Sequence, residues 1–385
     1  MKKIFKLSFT ALAALALVCG MTACEENPDI DDSAKDEEYK AITKQYVDKT
    51  VLSTYANLSE ASLDLYASIV ALKADKTNAN VQKAADDWIK ARDYWEKSEA
   101  FLFGPVDQLG IDPHIDTWPM AVDAFNSLMA NETLVRSYAA EDGDIKVSST
   151  ENEDGLLGFH SIEYIIFRNG NVRNASEITE LELIYAVAVA GDLRNQCCLI
   201  EVGWLGETSI SSEKLNYAKR AFNYEQLGEE AATEYAKVMK ETPNATYKTA
   251  LGACTAILDG CITIADEVGS MKIGKPHTGE DESYIESPFS YNSQVDFAGN
   301  IVSIENAYLG GADANNRGES VSGYIKERDA ALDTQIKEKI ADTIAKIYAI
   351  DQFEINYASN ETKLAMEACL DLMALLEKAK LVLRD

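Results

Sequence analysis

Apolar residues recur every three or four positions through most of this 385-residue chain. Between Asp36 and Lys73 the recurring set is Ile42, Tyr46, Val51, Leu52, Tyr55, Leu58, Leu63, Leu65, Ile69 and Leu72, the period of an amphipathic helix. No stretch alternates apolar and polar residues as a half-buried strand does. The seven prolines fall near the ends of the periodic segments, where a missing N–H costs little. Helices joined by short loops must bury their apolar stripes against one another, so the expected fold class is all-α, built as helical bundles.

Further helices are expected over Asn80 to Phe103, Trp118 to Leu128 (with Pro119 in the first turn), Leu156 to Phe167, and Ile178 to Trp204. The last of these is apolar on more than one side and reads as a central buried helix. Later helices are expected over Glu213 to Leu227, Glu229 to Lys240, Tyr247 to Val268, Ser290 to Leu309, Tyr324 to Ile350 and Asn360 to Leu383. The polar stretches from Ala139 to Asp154, Gly274 to Pro288 and Gly310 to Gly323 read as loops. The break near Gly206 divides the chain into an N-terminal bundle, 36–206, and a C-terminal bundle, 207–385, packed against each other.

The first residues carry an export leader. Lys2, Lys3 and Lys6 form a positive start, Ala11 to Val18 a short apolar core, and small residues precede Cys24. The apolar run is too short for a membrane span. Met21-Thr22-Ala23-Cys24 has the form of a lipobox with Met in place of the usual Leu. Residues 1–23 are therefore read as a lipoprotein signal peptide, with Cys24 as the acylated first residue of the mature chain. Ordinary secretory cleavage, leaving Cys24 a free thiol, is the alternative. The acidic run 24–35 has no apolar period and reads as a flexible tether. The implied location is the cell envelope, with the lipid at Cys24 anchoring the protein to the outer membrane, facing the periplasm or the surface.

Acidic residues number 64 against 36 basic ones, a net charge of −28. Losing the three leader lysines takes it to near −31. No basic stripe exists to neutralise phosphates, which argues against nucleic acid as a partner. A strongly negative surface favours cations and solubility alike. The cysteines form neither a Cys-x-x-Cys clip nor a spacing that suggests disulfides. Cys254 and Cys261 would stand about 10 Å apart on one helix.

Gly158-Phe159-His160-Ser161-Ile162-Glu163 carries the chemistry. Three residues apart on a helix, His160 and Glu163 share a face, and an imidazole with a carboxylate can supply two ligands to a cation. The same pair also reads as a helix histidine hydrogen-bonded to a neighbouring acid. The chain has only two other histidines, His114 and His277. Ser98-Glu99-Ala100-Phe101 is faintly repeated by Glu286-Ser287-Pro288-Phe289, each before a turn.

Several blocks in this order resemble the imelysin family: Trp95 to Pro105, Ile115-Asp116-Thr117-Trp118-Pro119, the Gly-x-His-x-x-Glu run from Gly158 to Tyr164, and Glu286 to Ser290 with Asn300-Ile301. The resemblance implies two helical bundles, a functional cleft near their contact, and iron-regulated uptake at the bacterial envelope. It carries over directly to His160 and Glu163 as metal ligands, with Glu99 and Asp116 added because they stand in matched blocks. Such a nitrogen and oxygen set suits iron first and zinc as an alternative. Arg92 is a partner for these acids in a metal-free site, and Asp192 and Arg194 are candidate supporting residues. Trp95, Trp118, Tyr164 and Phe167 read as core.

The expected function is binding of a metal ion or metal complex in iron acquisition, alongside a partner in envelope transport. A zinc metallopeptidase is the alternative, with Glu163 or Glu99 as general base and His114, ahead of His277, as third ligand. A protein-docking lipoprotein without catalysis is a third reading. No nucleophile elbow, P-loop or dinucleotide fingerprint is present.

Overall fold

The computed structural model describes residues 32–150, 155–228 and 234–385. The leader, Cys24 and most of the acidic tether lie outside the described residues. The end of the tether is already helical, in α1 (Asp32–Tyr46). A π-helical turn, Val47–Val51, separates α1 from α2 (Leu52–Ala74), so the expected helix from Asp36 to Lys73 is two. Helix α3 (Asn78–Glu96) starts at Thr77, whose Oγ1 accepts from Asn80 N. It ends before Phe103, and residues Glu99–Phe101 form a 3₁₀ turn.

Two expectations fail between α3 and the histidine motif. Trp118–Pro119 begins no helix; the peptide is cis, and the next helical segment starts at Val122. The stretch from Ala139, read as loop, contains helix α4 (Gly143–Thr150). Asp144 docks α4 on its neighbours, its Oδ2 accepting from Asn195 Nδ2 at 2.9 Å and Arg220 Nε at 2.8 Å.

The motif forms α5 (Gly158–Ile166), which runs into a two-residue antiparallel pair, Phe167–Arg168 with Asn171–Val172. Helix α6 (Glu180–Leu205) opens with a reciprocal capping box between Thr179 and Glu182 and stops at Gly206, φ 80°. It is long and apolar enough to cross a membrane, yet 94% of its most apolar window is buried inside the fold, which marks it as a core helix. Helices α7 (Ser212–Ala218), α8 (Ala250–Asp266), α9 (Ser293–Leu309), α10 (Val321–Arg328), α11 (Ala330–Tyr348) and α12 (Asn360–Arg384) follow. A break at Asp329 splits the expected helix from Tyr324 to Ile350.

Packing does not follow chain order. Helices α2, α4, α5 and α7 surround α6, while α8, α9, α11 and α12 pack together with α1 and α10. Lys35 Nζ reaches the carbonyl of Asp385, and the Tyr39 hydroxyl that of Leu383, so the first described helix is fastened to the last. Helix α3 touches α2 on one side and α9 on the other, and it bridges the two groups. Gly299 permits that crossing: a Cβ there would stand 2.8 Å from Glu96 Cβ. The described cysteines, Cys197, Cys198, Cys254, Cys261 and Cys369, are all buried and free, and burial pushes every thiol above its usual range.

Candidate metal centre between the two helix groups

Gly158 sets the first piece of the site. Its φ is +67°, and a Cβ would collide with the backbone of Ile115. Only glycine lets the 112–116 segment lie against the start of α5. That contact brings Asp116 to His160, with Asp116 Oδ1 3.2 Å from His160 Nε2. Asp116 is not an N-cap; it closes the short helix Asp112–Ile115 at its C-terminal end. Its Oδ2 accepts from the Trp95 indole at 2.7 Å, and its Oδ1 also receives Arg92 Nη1.

His160 and Glu163 do share a face, but they do not present themselves equally. Glu163 Oε2 lies 3.0 Å from His160 Nδ1. Its Oε1 accepts from Phe289 N at 2.9 Å, Ser290 N at 2.7 Å and Ser290 Oγ at 2.7 Å. Both oxygens are spent, so Glu163 is not an open ligand; it fixes the ring and leaves Nε2 pointing at the acids beyond. The loop that caps it holds two non-glycine residues in the left-handed region, Ser287 (φ 50°) and Tyr291 (φ 61°). Ser287 Oγ and Asn292 Nδ2 both donate to Asp296, at 2.5 and 2.6 Å, and hold that loop in place.

The same loop delivers Glu286. One donor atom from each of Asp116, His160 and Glu286 lies within 4.8 Å of the others, and all three residues are buried. A second such group joins Glu96, Glu99 and Asp116. Two fixed cations sit among these acids. Arg92 Nη2 is 2.6 Å from Glu96 and 2.5 Å from Glu286. Lys272 Nζ, carried on a π-helical extension of α8, is 3.3 Å from Glu286, 3.8 Å from Glu99 and 3.9 Å from Glu96. Asn300 Nδ2 donates to Glu96 at 2.5 Å.

Five carboxylates, those of Glu96, Glu99, Asp116, Glu286 and Asp296, thus face two obligate cations. Burial pulls Arg92 and Lys272 down, but the surrounding acids more than reverse it and hold both well above their usual values. Burial, only partly opposed by Arg92 and Lys272, pushes Glu96 and Glu99 far up. Asp112 and Asp296 are pushed up to about 7, chiefly by burial. Asp116 goes the other way: burial raises it, and Arg92 and His160 beside it bring it below the carboxylate range. For His160, burial lowers the pKa while the bonds to Asp116 and Glu163 raise it, leaving it at about 9. Several of these contacts are ion pairs without hydrogen-bond geometry: His160 Nε2 with Asp116, Glu96 Oε1 with Arg92, Glu286 Oε2 with Lys272, and Arg92 Nε with Asp296. One nitrogen and several oxygens, crowded together and with protons held on some of the acids by burial, fit a divalent cation that would take the protons' place.

Other expected residues lie elsewhere. His114 Nε2 meets Asp192 Oδ2 at 2.7 Å and Ser148 Oγ at 3.3 Å, and His277 Nδ1 meets the Tyr357 carbonyl at 2.9 Å. Neither joins His160, so the two-histidine zinc arrangement required for the peptidase reading is not assembled. Asp192 serves His114, and Arg194 reaches Asp144, stacked between Tyr66 and Tyr217; neither supports His160. Trp95 and Phe167 are core. Trp118 is only half-buried, its ring centroid 6.4 Å from His160 and 5.2 Å from that of Tyr284, and Lys272 lies over its face. Glu96, Lys272 and Glu286 were absent from the sequence-derived set, although Glu286 opens one of the two echoing tetrapeptides.

Comparison with known proteins follows the same lines. The chain matches the profile of the Imelysin family over residues 51–379. It is 25% identical over 339 residues to iron-regulated protein A of Synechococcus elongatus, covering 87% of this chain and 83% of the relative. The crystal structure of a candidate iron-regulated protein A precursor from Parabacteroides distasonis superposes with a TM-score of 0.76 at 27% identity, over 90% of this chain and 95% of that one. An imelysin-like protein of Psychrobacter arcticum shares the fold at a TM-score of 0.59 and 11% identity, over 88% and 93% of the two chains.

Proposed function

Because this chain belongs to the imelysin family, we propose that its buried cluster binds a divalent metal ion, iron first and zinc second, in the service of iron acquisition. His160 Nε2, Asp116 and Glu286 would hold the ion, with Glu96 and Glu99 within reach of it through Asp116. Glu163 acts behind His160, fixing its ring and tautomer rather than ligating. The ion would replace protons on carboxyls whose ionisation burial opposes. The observation that carries this reading is the buried convergence of His160 Nε2 with oxygens of both Asp116 and Glu286, all within 4.8 Å of one another.

A binding role is favoured over catalysis. Glu163, the base invoked for a peptidase, has both oxygens engaged, and the neighbouring acids are buried beside fixed cations. The name of the Synechococcus relative supports a link with iron. The leader and Cys24 support an outer-membrane lipoprotein that hands metal to a partner in envelope transport. Incorporation of labelled fatty acid, lost in Cys24→Ala, tests that anchor.

For the site, crystals grown with Fe(II) or Zn(II) should give one anomalous peak beside His160 Nε2. Metal analysis of the dialysed protein should find about one equivalent, lost in Asp116→Asn. A peak elsewhere, or equal metal content in wild type and Asp116→Asn, overturns the assignment.

A further inference from the structure

The cluster is enclosed: His160 is 1% exposed, and Arg92, Glu96 and Glu286 are fully buried. An ion that binds there needs a way in. A cavity of about 440 Å³ lies against α8, where Thr263 and Gly260 line it opposite Phe103. Four acids, Glu99, Asp107, Asp259 and Glu267, share its wall, and no lysine or arginine does. Lys380 pairs with Asp259 at 2.5 Å and Lys272 with Glu99 at 3.8 Å, and Asp107 and Glu267 have no ion pair among the described residues.

Glu99 belongs to both places. It lines the cavity, and its carboxylate also lies within 4.8 Å of donor atoms of Glu96 and Asp116 in the buried cluster. Its side chain is only 5% exposed and accepts no hydrogen bond among the described residues; its nearest cation is Lys272 Nζ at 3.8 Å. A mostly buried carboxylate shared between an acid-lined cavity and the proposed ligands is a relay point for a cation. The cavity has room for several waters, so an ion can enter with part of its hydration shell and exchange it for carboxylate oxygens as it moves inward.

We propose that this cavity is the port through which a hydrated divalent cation reaches the His160 cluster, with Glu99 as the inner relay and Glu267 beside it. The proposal rests on the metal-binding reading above. It implies that bulk placed in the cavity slows metal in both directions without changing the equilibrium, because the port is on the path and not in the ligand set.

Stopped-flow mixing with Co(II), read by quenching of Trp95 and Trp118 fluorescence, tests it in the full mature chain. Thr263 is exposed on the cavity wall and touches no proposed ligand. Thr263→Phe should slow association and dissociation alike by about tenfold, with Kd unchanged, while Thr263→Ala keeps wild-type rates. Asp107→Asn, on the same wall, should weaken the fall of the association rate with added salt. Wild-type rates in Thr263→Phe with intact affinity overturn the port alone. Loss of affinity in Thr263→Phe, with circular dichroism unchanged, also overturns it, since the residue would then act on the site. No binding of Co(II) by the wild type overturns the metal reading and the port with it.

Discussion

Two buried imidazoles each rest on a carboxylate in this molecule, and only one of them sits in a candidate metal centre. At His114, one ring nitrogen meets Asp192 and Ser148, and the exposed Phe222 stacks over the ring at 4.8 Å. No second acid joins the pair within ligand distance among the described residues. At His160 the carboxylate behind the ring is itself tied down by two backbone amides and a hydroxyl, and the other ring nitrogen faces two further acids. A histidine on an acid is therefore not the signature of a metal site. What distinguishes His160 is the convergence of further buried acids on its second nitrogen, with two fixed cations among them.

The largest break in that comparison comes from Arg92. Arg92→Ala strands four carboxylates in the interior and should cost about 3–5 kcal/mol, seen in chemical denaturation. His114→Ala, removing the contacts to Asp192 and Ser148, should cost no more than about 1–3 kcal/mol. Equal losses would erase the distinction drawn between the two regions. Next, His160→Ala should weaken Zn(II) or Fe(II) binding about 100-fold by calorimetry, while His114→Ala stays within about twofold. The reverse order would move the site to His114.

Glu163→Gln sharpens the contrast further. A carboxylate that only orients the ring should cost about 10-fold to 100-fold in affinity without changing the metal-to-protein ratio. The smallest effect is that of pH on the metal-free protein. His160, held at about 9, contributes stability that is complete below its ordinary value near 6.5 and is lost as pH climbs through 9. Asp112 and Asp296, raised to about 7, resist ionisation, so stability also falls as pH rises from their ordinary range to 7. The melting temperature should therefore decline from about pH 5 to about pH 9, and His160→Gln should flatten the upper part of that decline. A profile that rises with pH across this interval would contradict the electrostatics of the cluster.

Helices α6 and α12 were legible to within two residues, because long segments with strong apolar period and clear caps leave little choice. Helix α4 was not. Its sequence, Gly143 to Thr150, is polar, and it is held by Asp144 reaching Arg220 and Asn195, residues far along the chain. The site divides the same way. Helical spacing put His160 and Glu163 on one face, and motif order brought in Asp116 and Glu99, which the fold does gather. Spacing could not say that Phe289 and Ser290 would consume Glu163, nor that Glu286, 194 residues from Arg92, would point at it. Those facts belong to the crossing of α3 with α9, which no local pattern records.

The five thiols locked inside the helices offer an unplanned clock. Cys197 and Cys198 mark one helix group, and Cys254, Cys261 and Cys369 mark the other. None can be alkylated until its surroundings open, so mass tags gathered over time would report, helix by helix, whether the two groups breathe together or come apart separately at the seam where the acids lie.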